Sequence, residues 1–246
     1  MIELYGACPG FGLPDISPCV MKVFMYLTIT KTPFTWKAQD WASMATDAPY
    51  GKLPYIIDTD NDNKRVPDSS LIIEYLESQY GTSLDKKLSA EQRAVAIAFE
   101  RLIGENLYWS CLGTSRYLSD AGWEMYIPYL LQHSPPDGST PVPPELRAFL
   151  DAYRQSILDD FVGQGMGRRD VPCIVEFYKR DIDALAAYMG DNKYFMGDEV
   201  HTIDAAVYSM LRECADQPMQ WEGTGYIESK KTLIAYMERM RAEFGV

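Results

Sequence analysis

Ile16-Ser17-Pro18-Cys19-Val20-Met21-Lys22-Val23 stands between a loop dense in Gly and Pro, residues 8–14, and a run in which Val20, Val23, Phe24 and Leu27 recur at helical spacing. Proline suits the first helical position, because the amide it lacks has no intrahelical partner there, so the helix starts at Pro18 with Ser17 as its N-cap. The Ser17 hydroxyl then sits at the positive end of a helix dipole. Two readings are open: a capping hydroxyl, or a hydroxyl that joins the free amides in holding an incoming anion such as a thiolate.

Working outward, Ile2 and Leu4 begin a short alternating strand, and residues 32–37 read as a second. The signal over 41–45 is weak. Residues 55–59 and 64–66 read as two strands joined by Asp60-Asn61-Asp62-Asn63, side chains that tolerate tight-turn geometry. Residues 68–80 then read as a helix with Leu71, Ile72, Tyr75 and Leu76 on one face and Gly81 as its stop. The order β-α-β-(α)-β-β-α describes a small mixed sheet with helices on its faces.

Past a polar connector at 81–88 the strand signal disappears. Ser89-Ala90-Glu91-Gln92 has the form of a capping box and opens one long helical run to about Leu118. A Pro- and Gly-rich loop follows at 134–144, then helical patterns at 145–162, 172–189, 204–214 and 226–244. The expectation is an α/β domain over 1–81 and an all-helical domain over 89–246, with no internal repeat.

Two further features flank the first. In Gly51-Lys52-Leu53-Pro54-Tyr55 the proline precedes a strand that reads as central, so it belongs at the strand's start, with a cis Leu53–Pro54 bond in prospect. Pro67-Asp68-Ser69-Ser70 precedes an apolar helix, so Asp68 or Ser69 is its N-cap, beside amides able to receive a carboxylate. Each also reads as an ordinary strand start or cap.

Composition narrows the classes. With 23 Lys and Arg against 35 Asp and Glu, the formal charge of −12 is the wrong sign for phosphate-backbone binding, so nucleic acid is not an expected partner. The five cysteines are odd in number and include no Cys-x-x-Cys pair, which reads as a reducing, cytosolic setting without a disulfide framework. The N-terminus lacks a basic segment followed by an apolar run, and no transmembrane stretch is expected. His133 and His201 share no metal-ligand spacing with a cysteine or carboxylate cluster, so no metal site is expected either.

In their order and spacing, Ser17-Pro18-x-x-x-Lys22-Val23, Leu53-Pro54 and Asp68-Ser69-x-x-Ile72-x-x-Tyr75-Leu76 resemble the glutathione S-transferase superfamily, with its thioredoxin-like N-terminal and helical C-terminal domains. Within it the chain looks most like the branch that includes failed-axon-connections and metaxin-like proteins and their microbial relatives. The resembling stretches are 68–81, 88–94, 105–109, 164–168, and 195–198 with 204–208. Two departures stand out. His201 occupies a position usually filled by a capping Thr or Ser, and Cys19 lies at the second position after Ser17 where a dithiol redox motif needs the third, Val20.

The resemblance implies that glutathione is a co-substrate lying along the sheet edge. Its cysteinyl backbone would pair with Leu53 beside Pro54, its γ-glutamyl carboxylate would lie at Asp68 and Ser69, and its sulfur would lie near Ser17, where hydroxyl and helix terminus favour thiolate. Tyr5 is the alternative activator, or packs in the sheet. A small hydrophobic electrophile would sit between the domains against Tyr5, Tyr108, Trp109, Arg116 and Trp123, some of which equally read as core. Arg116 either pairs with an anionic substrate group or neutralises a nearby carboxylate. The implied protein is a transferase and, by family analogy, a homodimer. The alternatives are an interaction module with a degenerate glutathione groove, and a glutathione-dependent reductase or ether-cleaving enzyme.

Overall fold

A computed structural model describes residues 1–131 and 142–246. His133 and most of the 134–144 loop lie outside the described residues. Strand β1 (Ile2–Gly6) buries Ile2, Leu4 and Gly6 while Glu3 and Tyr5 remain half-exposed, the two-residue period of a strand. It pairs in parallel with β2 (Phe34–Ala38) and antiparallel with β3 (Tyr55–Asp58), and β3 pairs antiparallel with β4 (Lys64–Pro67), giving the order β2-β1-β3-β4. A parallel pair needs a crossover, here α1 (Pro18–Ile29). The weak stretch after β2 forms a single turn at Trp41–Ser43 and the short α2 (Met44–Asp47). Helix α3 (Ser69–Tyr80) buries Ile72, Ile73, Tyr75 and Leu76 and stops at Gly81, whose φ of 68° is left-handed.

The capping box at the start of α4 (Ala90–Arg101) is present in both halves: Gln92 N–H donates to Ser89 Oγ at 3.2 Å, and Ser89 N–H to Gln92 Oε1 at 2.9 Å. The single long helix expected here changes character after Arg101. Residues Leu102–Leu118 coil more widely as a π-helical segment, and the Ser119 N–H reaches back five residues to the Thr114 carbonyl at 3.3 Å. An elbow follows into α5 (Asp120–Leu130), a helix that periodicity did not reveal. The elbow requires glycine at 122, where a Cβ would lie 1.8 Å from the Ser115 carbonyl oxygen. The remaining helices are α6 (Pro144–Gln164), α7 (Val171–Met189), α8 (Thr202–Asp216) and α9 (Lys231–Phe244). The expected run over 226–244 is interrupted, with a separate turn at Ile227–Ser229 before α9 begins.

Helix α8 begins two residues before the expected 204. Its Asp204 accepts from the His201 N–H at 2.9 Å and the Phe195 N–H at 2.8 Å, and Asp85 of the connector receives the Thr202 N–H at 3.0 Å. The residues from Ile203 to Cys214 are buried all round because α8 lies in the middle of the molecule, with α1 as its most extensive neighbour. One apolar core therefore runs from Ile2 through Val23, Leu27, Val207 and Leu211 to Met240. A second, comprising Ile16, Tyr117, Trp123, Tyr126 and Ile127, lies under the loop that leads into α1.

Candidate active site at the start of the first helix

Ser17 caps α1 as the sequence implies: its Oγ accepts from the Val20 N–H, at a long 3.4 Å. Among the described residues its hydroxyl donates to nothing. Two residues before it lies Asp15, with no exposed surface, whose Oδ1 accepts from the Ser17 N–H at 2.9 Å and whose Oδ2 accepts from the Trp36 indole at 3.0 Å. Burial pushes the Asp15 carboxyl up to about 8, against the donors at Ser17, Trp36 and Ala7 that favour its charged form. Cys19 is pushed up to about 11 and Cys8 to about 12, both by burial, and Cys8 Sγ approaches the Tyr129 carbonyl at 2.9 Å, so neither is an activated thiol.

One turn further along α1, the buried Lys22 reaches Ser70 Oγ at 2.9 Å and Ser69 Oγ at 3.4 Å and forms an ion pair with Glu100. Glu100 also receives the Ser70 hydroxyl at 2.9 Å. Burial works against the Glu100 carboxylate, yet the Lys22 charge and these donors bring it below the usual range. The group ties α1, α3 and α4 together.

The start of α3 is built differently. Asp68 is exposed, holds a φ of 64°, and accepts from the Ser70 N–H at 2.8 Å and the Leu71 N–H at 3.2 Å. Between the two helix starts and the first turn of the π-helical segment opens a pocket of about 170 Å³ lined by Pro18, Cys19, Lys22, Asp68, Ser69 and Arg101, among others. The Leu53–Pro54 bond is cis, as anticipated, and Leu53 packs against both cores.

The five residues expected around the electrophile separate. Tyr5 stacks on Tyr55 with ring centroids 4.5 Å apart and donates its hydroxyl to Glu3 at 3.2 Å, alternating along β1 with the core-facing Leu4. Trp123 has no exposed surface and gives its indole N–H to Asp151 at 3.2 Å, so it packs the core instead of lining an open pocket. Arg116 is buried as well. Its guanidinium pairs with Glu213 at 2.6 Å and also donates to the Ile16 carbonyl at 2.8 Å and to Gln217 at 3.1 Å, and this occupies it within the protein. Burial opposes the Arg116 cation, but Glu213 together with Tyr126 and Tyr117 outweighs it, and burial pushes Glu213 itself up to about 7. Trp109 stacks on Phe161 at 5.7 Å. Tyr108, half-buried, makes no side-chain hydrogen bond among the described residues, and burial raises its phenol, with Tyr153, Cys19, Arg116 and Glu213 close enough to act on it.

Asp15, Glu213 and the bonding of Lys22 are absent from the sequence reading. Lys22 stood in the motif without an assigned partner, Asp15 offered only its place two residues before a cap, and Glu213 lies 97 positions from Arg116.

Comparison with known proteins accords with this geometry. The family "Glutathione S-transferase N-terminal domain" matches residues 18–122, and "Glutathione S-transferase, C-terminal domain" matches 178–240. The chain is 49% identical over 246 residues, all of both chains, to the isoprene-epoxide glutathione S-transferase of Rhodococcus sp. (strain AD45). It is 24% identical over 238 residues to failed axon connections of Drosophila melanogaster, spanning 93% of this chain and 54% of that one. Among solved structures, the glutathione transferase GSTFuA3 of Phanerochaete chrysosporium superposes with a TM-score of 0.64 at 15% identity, covering 98% of this chain and 96% of that one. A Ceriporiopsis subvermispora glutathione S-transferase in complex with glutathione gives 0.63 at 15%, covering 99% and 96%. These two likenesses concern the fold.

Proposed function

Since the chain belongs to the glutathione S-transferase family, an enzyme family whose co-substrate is glutathione, we propose that it joins the glutathione thiolate to a small apolar epoxide. The 49% full-length identity to an enzyme named for isoprene epoxide carries the choice of electrophile, and it favours an enzyme over an interaction module. In this reading Ser17 donates its free hydroxyl to the glutathione sulfur at the α1 terminus, and helix dipole and hydroxyl both lower the thiol's pKa. The γ-glutamyl end lies at Asp68 and Ser69, which line the pocket, and the cysteinyl backbone lies along Leu53 beside Pro54.

The thiolate attacks a ring carbon, the sulfur–carbon bond forms as the carbon–oxygen bond breaks, and the released alkoxide takes a proton. Tyr108 and Trp109 face the epoxide, while Tyr5, Arg116 and Trp123 belong to the frame around it, their polar atoms being engaged by Glu3, by Glu213 and Ile16, and by Asp151. The functional unit is a cytosolic homodimer with units at 1–81 and 89–246, in keeping with its five free cysteines. Incubation with glutathione and a short alkyl epoxide tests the reading. Mass spectrometry is expected to find an adduct equal to the sum of the two, since ring opening expels nothing. Glutathione binding by calorimetry without conjugate above the uncatalysed rate would reject the epoxide, and no heat at millimolar glutathione would reject the site.

A further inference from the structure

One peptide group, the amide between Ile16 and Ser17 that delivers the chain into α1, is held at both ends by buried polar side chains. Its carbonyl accepts from Arg116 Nη1 at 2.8 Å, and its N–H donates to Asp15 Oδ1 at 2.9 Å. Asp15 has no exposed surface and Arg116 only 2%, so neither meets a ligand from solvent. Both are themselves fixed. Asp15 Oδ2 takes the Trp36 indole N–H at 3.0 Å, while the remaining arms of Arg116 reach Glu213 at 2.6 Å and Gln217 at 3.1 Å, and its face lies 5.2 Å from the Phe11 ring and 5.1 Å from that of Tyr126.

A peptide group is planar, so anchoring its oxygen and its nitrogen fixes the plane, and the following residue keeps only its own φ, ψ and χ1 as freedoms. Ser17 is that residue, with φ at −102° and its ψ already committed to the helix. A buried guanidinium on the carbonyl also polarises the group and makes the Ser17 N–H the better donor. A loop carbonyl needs no cation for its satisfaction. A fork anchored on α8 gives it a fixed direction.

We propose that Arg116 and Asp15 are positioning residues that lock the Ile16–Ser17 peptide plane and so aim the Ser17 hydroxyl at the glutathione sulfur. This rests on the reading of Ser17 as thiolate donor, and the test separates the two. Four variants are compared for the thiol pKa of bound glutathione, for kcat and KM, and for Tm: Arg116→Lys, which keeps a charge for Glu213 but cannot fork; Arg116→Met with Glu213→Met, which removes both charges together; Ser17→Gly; and Arg116→Lys combined with Ser17→Gly. For each Arg116 variant the bound thiol pKa is expected to rise by about one unit and kcat at neutral pH to fall about tenfold. KM for glutathione should stay within about twofold, because the γ-glutamyl end is held elsewhere. Arg116→Lys added to Ser17→Gly should bring no further change in the thiol pKa.

A folded double variant with a lower Tm but unchanged thiol pKa and kcat would reduce the clamp to structure, and if that variant does not fold, the same result in Arg116→Lys overturns the proposal equally. Additive shifts in the combination with Ser17→Gly would also overturn it. An unshifted thiol pKa in Ser17→Gly would instead remove the premise, whatever Arg116 does.

Discussion

Two helix starts face one pocket, and they are built in opposite ways. The start of α3 is self-sufficient: Asp68 folds its carboxylate back onto the Ser70 and Leu71 amides, remains exposed, and holds a φ of 64°. The start of α1 leans on residues far away. Ser17 makes only a 3.4 Å cap bond, and the geometry before it comes from Asp15, Trp36, Arg116 and, through Arg116, Glu213 on α8. A terminus that satisfies its own amides holds its shape without distant support. One whose hydroxyl is left free and whose backbone is set by buried neighbours suits a task where direction decides rate.

The largest effect that separates the two ends should come from Ser17→Gly. Glycine keeps most of the capping tendency, at a cost of a few tenths of a kcal/mol, so the fold should be retained while kcat falls on the order of a hundredfold and the ultraviolet absorbance of bound thiolate disappears near neutral pH. An unchanged kcat would make the α1 start another cap. At the other end, Ser69→Ala removes a hydroxyl facing a carboxylate, roughly 1.5–3 kcal/mol, so glutathione affinity measured by calorimetry should weaken by one to two powers of ten, with kcat at saturation preserved. A lower Tm with unaltered affinity would return Ser69 to structure.

The third test uses pH. Because burial pushes Asp15 up to about 8, the folded chain holds a proton that the unfolded chain releases near 3.9, and stability falls as pH rises through that interval, levelling off above about 8. One proton gives a slope of at most about 1.4 kcal/mol per pH unit, and Asp15→Asn should remove it; Glu213, at about 7, retains a share of the same sign. Denaturant melts at several pH values between 5 and 8 check this, and parallel slopes for the two proteins would contradict it. The smallest effect belongs to the self-capped end. Asp68→Ala should cost about 1 kcal/mol, and Asp68→Gly less, because glycine accepts the backbone that alanine strains against.

What the sequence disclosed follows the same division. Features that depend on near neighbours were legible: Pro18 after Ser17, the Ser89 and Gln92 box, Gly81 ending α3, the alternation in β1. The mixed character of the sheet was legible because a parallel β1–β2 pair needs the helix whose pattern lies between them, whereas the spatial order β2-β1-β3-β4 was not. The widening of the helix after Arg101 was hidden, since its apolar residues recur as those of an ordinary helix do and the change lies in backbone bonding. Helix α5 was hidden as well, in a stretch where Pro128 sits within the helix and blurs the stop signals. Arg116 could be read either way from sequence, because a cation declares its role only when its carboxylate is found, and Glu213 arrives from the far end of the chain.

The contact between α1 and α8 gives the start of α1 an unusual thermodynamic address. Val23 and Leu27 belong to the same apolar mass as Val207, Leu211 and Met240, so no cut in the 81–88 connector yields a half that keeps its own centre. Local opening reaches loops and frayed ends at little cost, while a segment shared by both halves opens only when the whole molecule does. The amides of α1 therefore belong to the slowest class in hydrogen exchange and report global unfolding. The site's preorganisation lasts as long as the native state, and a substitution that weakens the packing of α8 from the far side shortens the lifetime of the Ser17 geometry without touching it.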